Sequence, residues 1–268
     1  PTYGLVMSPT NLGSGASGRG GGSVELRVAG TAAIRGKIDA MGYSSSTLQP
    51  AGSGGSIYLV TGLLEGDGLL DVSALGYAPF SGQGCYWSGG GGRIAVIVTN
   101  SDSFGSVRMK AYGGNTMIEG AAGTVYKEGR SQGTGWGTVI VNNSNVAASV
   151  SMPLPPYYSA DTQPAVTNEI TFAALVVTNG GRIRLDNDLR MQDLQWMAGG
   201  TYLYLNGYVL YLRTNEHAFG SGTVVSNGGQ IIHEHSASQT ESLHGSVHGF
   251  LVRYCGIPTV SISAVDLL

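Results

Sequence analysis

Along this chain apolar and polar residues alternate in short runs, and the spacing of an amphipathic helix is almost absent. Val24-Glu25-Leu26-Arg27-Val28 alternates as a half-buried strand does, with residues two apart sharing a face. Ile94-Ala95-Val96-Ile97-Val98 is continuously apolar and predicts a fully buried strand. Val107-Arg108-Met109-Lys110-Ala111 and Thr138-Val139-Ile140-Val141 add two further strands. Turns rich in Gly, Ser and Asn separate these runs, where the backbone needs residues that tolerate positive φ.

The first half repeats. A glycine-rich lead opens on Gly22-Ser23-Val24, Gly55-Ser56-Ile57, Gly92-Arg93-Ile94 and Gly123-Thr124-Val125. Three copies close on Ala40-Met41-Gly42, Ala74-Leu75-Gly76 and Ala111-Tyr112-Gly113, and the fourth on Val141-Asn142-Asn143. Val24 to Ala40, Ile57 to Ala74, Ile94 to Ala111 and Val125 to Val141 span 16, 17, 17 and 16 positions. A kept register of this size predicts stacked units, each too small to bury its own apolar face. Inward ladders are expected from Val24, Leu26, Ile57, Leu59, Ile94 and Val96, with polar residues outward.

A second regime starts near Ile170. Val176-Val177-Thr178-Asn179-Gly180-Gly181-Arg182-Ile183 reads strand, turn, strand, and Gly199-Gly200 and Gly228-Gly229 mark similar turns. Pro153, Pro155, Pro156 and Pro164, with Tyr157-Tyr158, interrupt the pattern between the regimes. The division is 1–143 for glycine-rich repeats, 144–169 for an irregular connector and 170–268 for a continuation ending in a strand or cap. The expected fold is all-β: one elongated right-handed parallel β-helix (β-solenoid) with glycine-rich corners, continuous across the connector.

Composition narrows the function classes. Of 268 residues 44 are Gly and only 12% are charged, so Ser, Thr, Asn, Gln and Gly must cover the surface, as in secreted β-rich scaffolds. The net charge of −3, with Lys37, Lys110 and Lys127 scattered, lacks an electrostatic footprint for nucleic acid. No apolar run approaches the length of a membrane helix. The opening Pro1-Thr2-Tyr3 reads as a mature or excised piece of a longer precursor. The two cysteines, Cys85 and Cys255, are too far apart in a linear stack for a bond within the chain, leaving free thiols or a bond between molecules.

Gly89-Gly90-Gly91-Gly92-Arg93-Ile94-Ala95-Val96, Ala111-Tyr112-Gly113-Gly114 and Gly120-Ala121-Ala122-Gly123-Thr124-Val125-Tyr126 resemble repeats of very large bacterial surface proteins. Those are parallel β-helices in the style of autotransporter passengers and haemagglutinin-like adhesins. Gln192-Asp193-Leu194 through Thr201 and Leu205-Asn206-Gly207-Tyr208-Val209-Leu210 are similar to the same group, so the likeness covers residues 18–143 and 170–232. Trp196, Met197 and Tyr204 are larger than the residues usual there and mark a candidate lateral contact surface. The resemblance implies export, extracellular or cell-surface location, and structural or adhesive work.

Candidate chemistry is sparse. His233 and His235 share a strand face, and His244 and His248 lie nearby, a set that could hold a borderline metal although the spacing matches no strong zinc motif. Glu65, Asp67 and Asp71 cluster in the second repeat, and Asp186-Asn187-Asp188 suits a turn. A polysaccharide-active enzyme would need such carboxylates in a groove with Arg182 or Arg184. The glycine runs lack the Lys-Ser/Thr of a phosphate loop, and no nucleophile triad is visible, so no catalytic residue and no cofactor is expected. Tyr202, Tyr204, Tyr208 and Tyr211 could line a face that stacks on sugar rings or on a neighbouring molecule. Val260 and Ile262, in the alternating run Val260–Val265, could add a strand to another subunit. The expected partners are copies of the chain, as a homo-oligomer or homopolymer, and glycans.

Overall fold

The computed structural model describes residues 4–44, 50–75, 87–115, 118–154, 169–214 and 220–234, and beyond these the strands at 241–243, 247–248, 251–254 and 260–262. Among the described residues the fold is all-β without a helix, and it contains several parallel sheets. The first repeats supply β1 (Ser23–Ala33), β2 (Lys37–Asp39), β3 (Ser56–Glu65), β4 (Leu69–Asp71), β5 (Arg93–Val98), β6 (Arg108–Lys110) and β7 (Thr124–Glu128). Next come β8 (Thr138–Asn142), β9 (Met152–Pro153), β10 (Ala174–Thr178), β11 (Arg182–Arg184), β12 (Leu189–Met191) and β13 (Asp193–Met197). The chain continues through β14 (Tyr202–Tyr204), β15 (Val209–Leu212), β16 (Thr223–Val225) and β17 (Gln230–His233). It closes with β18 (Glu241–Leu243), β19 (Val247–His248), β20 (Leu251–Tyr254) and β21 (Val260–Ile262).

Strands enter the sheets in turn. A seven-stranded sheet has the order β1-β3-β5-β7-β8-β10-β13, and β2-β4-β6 form a second sheet beside its first half. Beside its second half lie β9-β11-β14-β16-β19 and β12-β15-β17-β20. The register is regular: Ile57 pairs with Ile94 and Leu59 with Val96, while Ile183 pairs with Leu203 and Leu189 with Leu210. Each rung therefore places like residues one strand spacing apart, roughly 4.8 Å.

The glycine-rich leads have a steric cause. The amides of Gly55, Gly92 and Gly123 donate to the carbonyls of Ala40, Val72 and Ala111, so each lead packs on the backbone of a closing segment. A Cβ on Gly54 would lie 1.7 Å from the Val72 oxygen, and one on Gly91 2.1 Å from the Ala111 oxygen. No side chain fits between. In the second half the corners turn instead on Asn179-Gly180, Asn206-Gly207 and Asn227-Gly228, all with positive φ, as the Asn-Gly pairs predict.

One departure from a single straight stack is the β7–β8 pair, which runs antiparallel. Val125 there faces Ile140, and Tyr126 faces Val139. The fourth repeat closes by folding back onto its own opening strand, and Asn143 reaches the third closing segment by its side chain, Oδ1 accepting from Gly113 N at 2.8 Å. Strand direction thus reverses within residues 124–142; of the expected connector at 144–169, Pro155–Asn168 lie outside the described residues.

The reversal swaps the buried face of the common sheet. One row across it reads Val24, Ile57, Ile94, Val125, Ile140, Val176, Trp196, and the neighbouring row Glu25, Tyr58, Ala95, Tyr126, Val139, Leu175, Leu194. The first row is fully buried at Ile57 and Ile94 and ends at Trp196, 46% exposed. The second begins at an exposed Glu25 and is buried from Tyr58 to Leu194. Two cores result, on opposite faces of one sheet. Leu59, Leu70, Val72 and Val96 belong to the first, and Val177, Ile183, Met191 and Leu210 to the second. The expected inward ladders are present, with Val24 and Leu26 only half-buried at the end strand. The expected polar outer face is kept on β1, where Glu25 and Arg27 are exposed, and is lost farther along, where Tyr58, Ala95 and Tyr126 are buried because Val6 and the second core cover them.

Candidate functional site

On β11 the inward Ile183 is fully buried, so alternation turns Arg182 and Arg184 outward. Two residues beyond Arg184 stands Asp186, and the pair is bidentate: Nε donates to Oδ1 at 2.9 Å and Nη2 to Oδ2 at 3.2 Å. Nη1 donates to the Ser151 carbonyl at 3.1 Å, tying β11 to the segment leading into β9. On the next strand Leu203 is buried and Tyr202 and Tyr204 point outward, their rings stacked at 5.9 Å and 14°. The Arg182 guanidinium lies over the Tyr202 ring, 4.8 Å from its centroid. Pro153, Arg184 and Tyr204 are cross-strand partners in one row, continued by Val225.

Arg184 and Asp186 form one wall of a groove of about 640 Å³. Its floor is the glycine-rich lead of successive repeats, including Gly54, Gly55, Gly91 and Gly92. Ser151, Met152 and Pro153 flank the Arg–Asp pair, and Asn11 to Ser14 line the groove as well. The N-terminal segment is held in place, for Ser56 Oγ donates to the Asn11 carbonyl at 2.8 Å and Ser14 N to Ser53 Oγ at 2.7 Å. Farther back the Glu169 carboxylate accepts from the amides of Val6 and Met7. Burial pushes the Glu169 carboxyl above its ordinary range, against the opposing pull of those amides and of the Arg93 charge. Arg93, buried, donates from Nη1 to Thr124 Oγ1 at 3.3 Å.

The other sequence candidates are dispersed. Tyr208 sits in the Asn206-Gly207 turn, and Tyr211 lies on β15 in a different sheet from Tyr202 and Tyr204, under the Arg190 guanidinium. Asp188 Oδ1 accepts from Val209 N at 2.8 Å, a turn contact to the next rung, so it does not join Asp186. His233 is fully buried on β17, its Nδ1 3.3 Å from the Thr214 carbonyl oxygen, while His248 belongs to β19 in another sheet. His235 and His244 lie outside the described residues, as do Cys85 and Cys255; among the described residues no three His, Cys, Asp or Glu side chains form a metal-sized group. Val260 and Ile262 are in β21, which pairs in parallel with β18 of the same chain. No described helix is long and apolar enough to cross a membrane.

Sequence reasoning missed a charged ladder on β2-β4-β6. Asp39, Asp71 and Lys110 are cross-strand partners. Lys37 Nζ stands 2.9 Å from Asp39 Oδ2 and 3.3 Å from Asp71 Oδ2, and Tyr43 donates its hydroxyl to Asp39 at 3.0 Å. Burial raises the Asp39 carboxyl, but Lys37, the Met41 amide and Tyr43 outweigh it and hold the group below its usual range. The available signal was position: Asp39 and Lys110 directly precede the closing Ala40 and Ala111.

No protein-family model, no curated protein and no solved structure matches the chain.

Proposed function

We propose that the chain is a structural and adhesive module of an extracellular or cell-surface protein, built as a right-handed parallel β-helix whose stacked rungs serve as a scaffold. The supporting observation is the register: consecutive repeats contribute strands to the same parallel sheets in chain order, with like residues stacked inside. The β7–β8 reversal is compatible with one hand throughout. Strand direction and the buried side of the common sheet invert together there, and inverting both leaves the sense of winding unchanged.

Self-association belongs to the same reading. Sheets that end on open strands offer edges for pairing, and β21 is engaged by β18 on one side. Negative-stain microscopy and sedimentation velocity of the whole chain test this. The expected result is higher oligomers or filaments at high concentration, reduced by Ser261→Pro with the circular dichroism retained. Strictly monomeric particles at high concentration overturn self-association. Export is tested separately, by locating the parent protein in cell fractions.

A further inference from the structure

We infer that the groove beside Arg184 and Asp186 is a binding site for a neutral oligosaccharide, whose chain runs from the glycine floor along Pro153 and Arg184 onto the Tyr202–Tyr204 pair. The inference supplies a ligand class for the adhesive part of the proposed function and rests on that part alone.

Four observations carry it. The volume of about 640 Å³ falls in the range of ligand sites, roughly 300–1,000 Å³. The polar centre is a guanidinium locked flat against a carboxylate and a carbonyl, so its orientation is fixed before any ligand arrives. Among the described residues three of the five Arg184 donors are engaged, and both charged side chains are partly exposed. Donors and acceptors side by side match neighbouring hydroxyls, each of which both donates and accepts. The charges of Arg184 and Asp186 cancel within their pair, so this wall favours no anion.

The remaining surface suits a sugar's two characters. Leu12 and Val150 expose apolar side chains on the groove, where C–H faces of a ring can rest. The serine hydroxyls and glycine backbone between them offer further hydrogen bonds. Next to Arg184 in the same row stands Tyr204, stacked on Tyr202, and an aromatic face is the usual platform for a pyranose ring.

The test is calorimetric titration of the full chain with cellopentaose, xylopentaose and maltopentaose as neutral probes and pentagalacturonate as an acidic one. Gly90 lines the groove, and a Cβ there meets nothing closer than the Ala121 oxygen at 3.5 Å, so Gly90→Gln fills the space without disturbing the rung. The expected result is binding of at least one neutral probe, lost in Gly90→Gln and weakened about tenfold or more in Asp186→Asn and in Tyr204→Ala. Melting curves confirm that each variant folds. Absence of binding to every neutral probe, preference for pentagalacturonate, or binding that survives Gly90→Gln overturns the site. Particle shape and oligomer size read the scaffold independently, so failure of one leaves the other standing.

Discussion

Gly55 is held by its neighbours, not by its own backbone freedom: a Cβ there would lie 1.8 Å from the Gly22 oxygen, with no positive φ involved. Gly22 occupies the equivalent position in the first repeat, beside the end strand β1 of the seven-stranded sheet, and among the described residues a Cβ on it meets nothing within 4 Å. Gly55→Ala is therefore expected to cost about 2–4 kcal/mol or to prevent folding, and Gly22→Ala to change stability by no more than about 0.5 kcal/mol, read from urea denaturation. Equal effects at both positions would sink the crowding explanation. The sequence shows the glycine tract and its period but not its partner. The obstructing carbonyls at Gly22, Val72 and Ala111 lie a repeat away or across the rung. Arg184 and Asp186 were legible as a pair at short spacing, whereas Ser151 and the glycine floor come from distant segments. His233 reads as a surface ligand because Gln230-Ile231-Ile232-His233 puts one Ile on each face of the strand, and only the third dimension shows which face is inside.

At the scale of elements, the turn between β7 and β8 is organised by one buried network. Tyr126 donates its hydroxyl to Glu128 Oε2 and accepts from Gly137 N at 3.1 Å, and the same carboxylate oxygen accepts from Gly135 N at 2.7 Å. Burial and the Glu128 carboxylate push the Tyr126 hydroxyl far above its ordinary pKa, so it stays a donor. Tyr126→Phe strands the Gly137 amide and takes one of two donors from the carboxylate oxygen, and it should cost about 1–3 kcal/mol, with the loss visible as faster amide exchange across β7 and β8. Unchanged exchange there would show that the turn closes without the network. Thr138–Val141 suits a parallel and an antiparallel strand equally well, which is why the sequence did not disclose the reversal. What it did disclose was the doubly apolar run Ile94–Val98, buried because both faces of β5 are covered.

Two carboxylates, Asp39 at the end of β2 and Glu169 ahead of β10, set opposite pH dependences. The folded Asp39 carboxyl lies below its unfolded value near 3.8, so its contribution is present above that value and fades as pH falls through the folded one. Glu169 lies above its unfolded value near 4.5, so the folded state binds more protons there and stability declines as pH rises through the interval above 4.5. In thermal melts Asp39→Asn should flatten the acid limb below about pH 4, and Glu169→Gln should flatten the decline above about pH 4.5. A variant at either position that leaves its limb unaltered contradicts the assignment.

For the whole molecule, the shared sheet decides cooperativity. Each core uses the common strands from the opposite side, and Tyr58, Ala95 and Tyr126 of the first repeats belong to the second core. Separate domains would unfold in two steps, but here loss of the second core uncovers the back of the first. Leu175, 1% exposed and paired with both Val139 and Leu194, sits where the second row is deepest. Leu175→Ala should cost about 2–5 kcal/mol and shift one transition followed identically by far-ultraviolet circular dichroism and by tryptophan fluorescence. Hydrogen exchange in β3 and β5, far along the sheet, should rise with it. Two resolved transitions, with β3 and β5 still protected in the variant, would mean that the stacks stand independently and that burial of Tyr58 and Ala95 contributes little to holding them together.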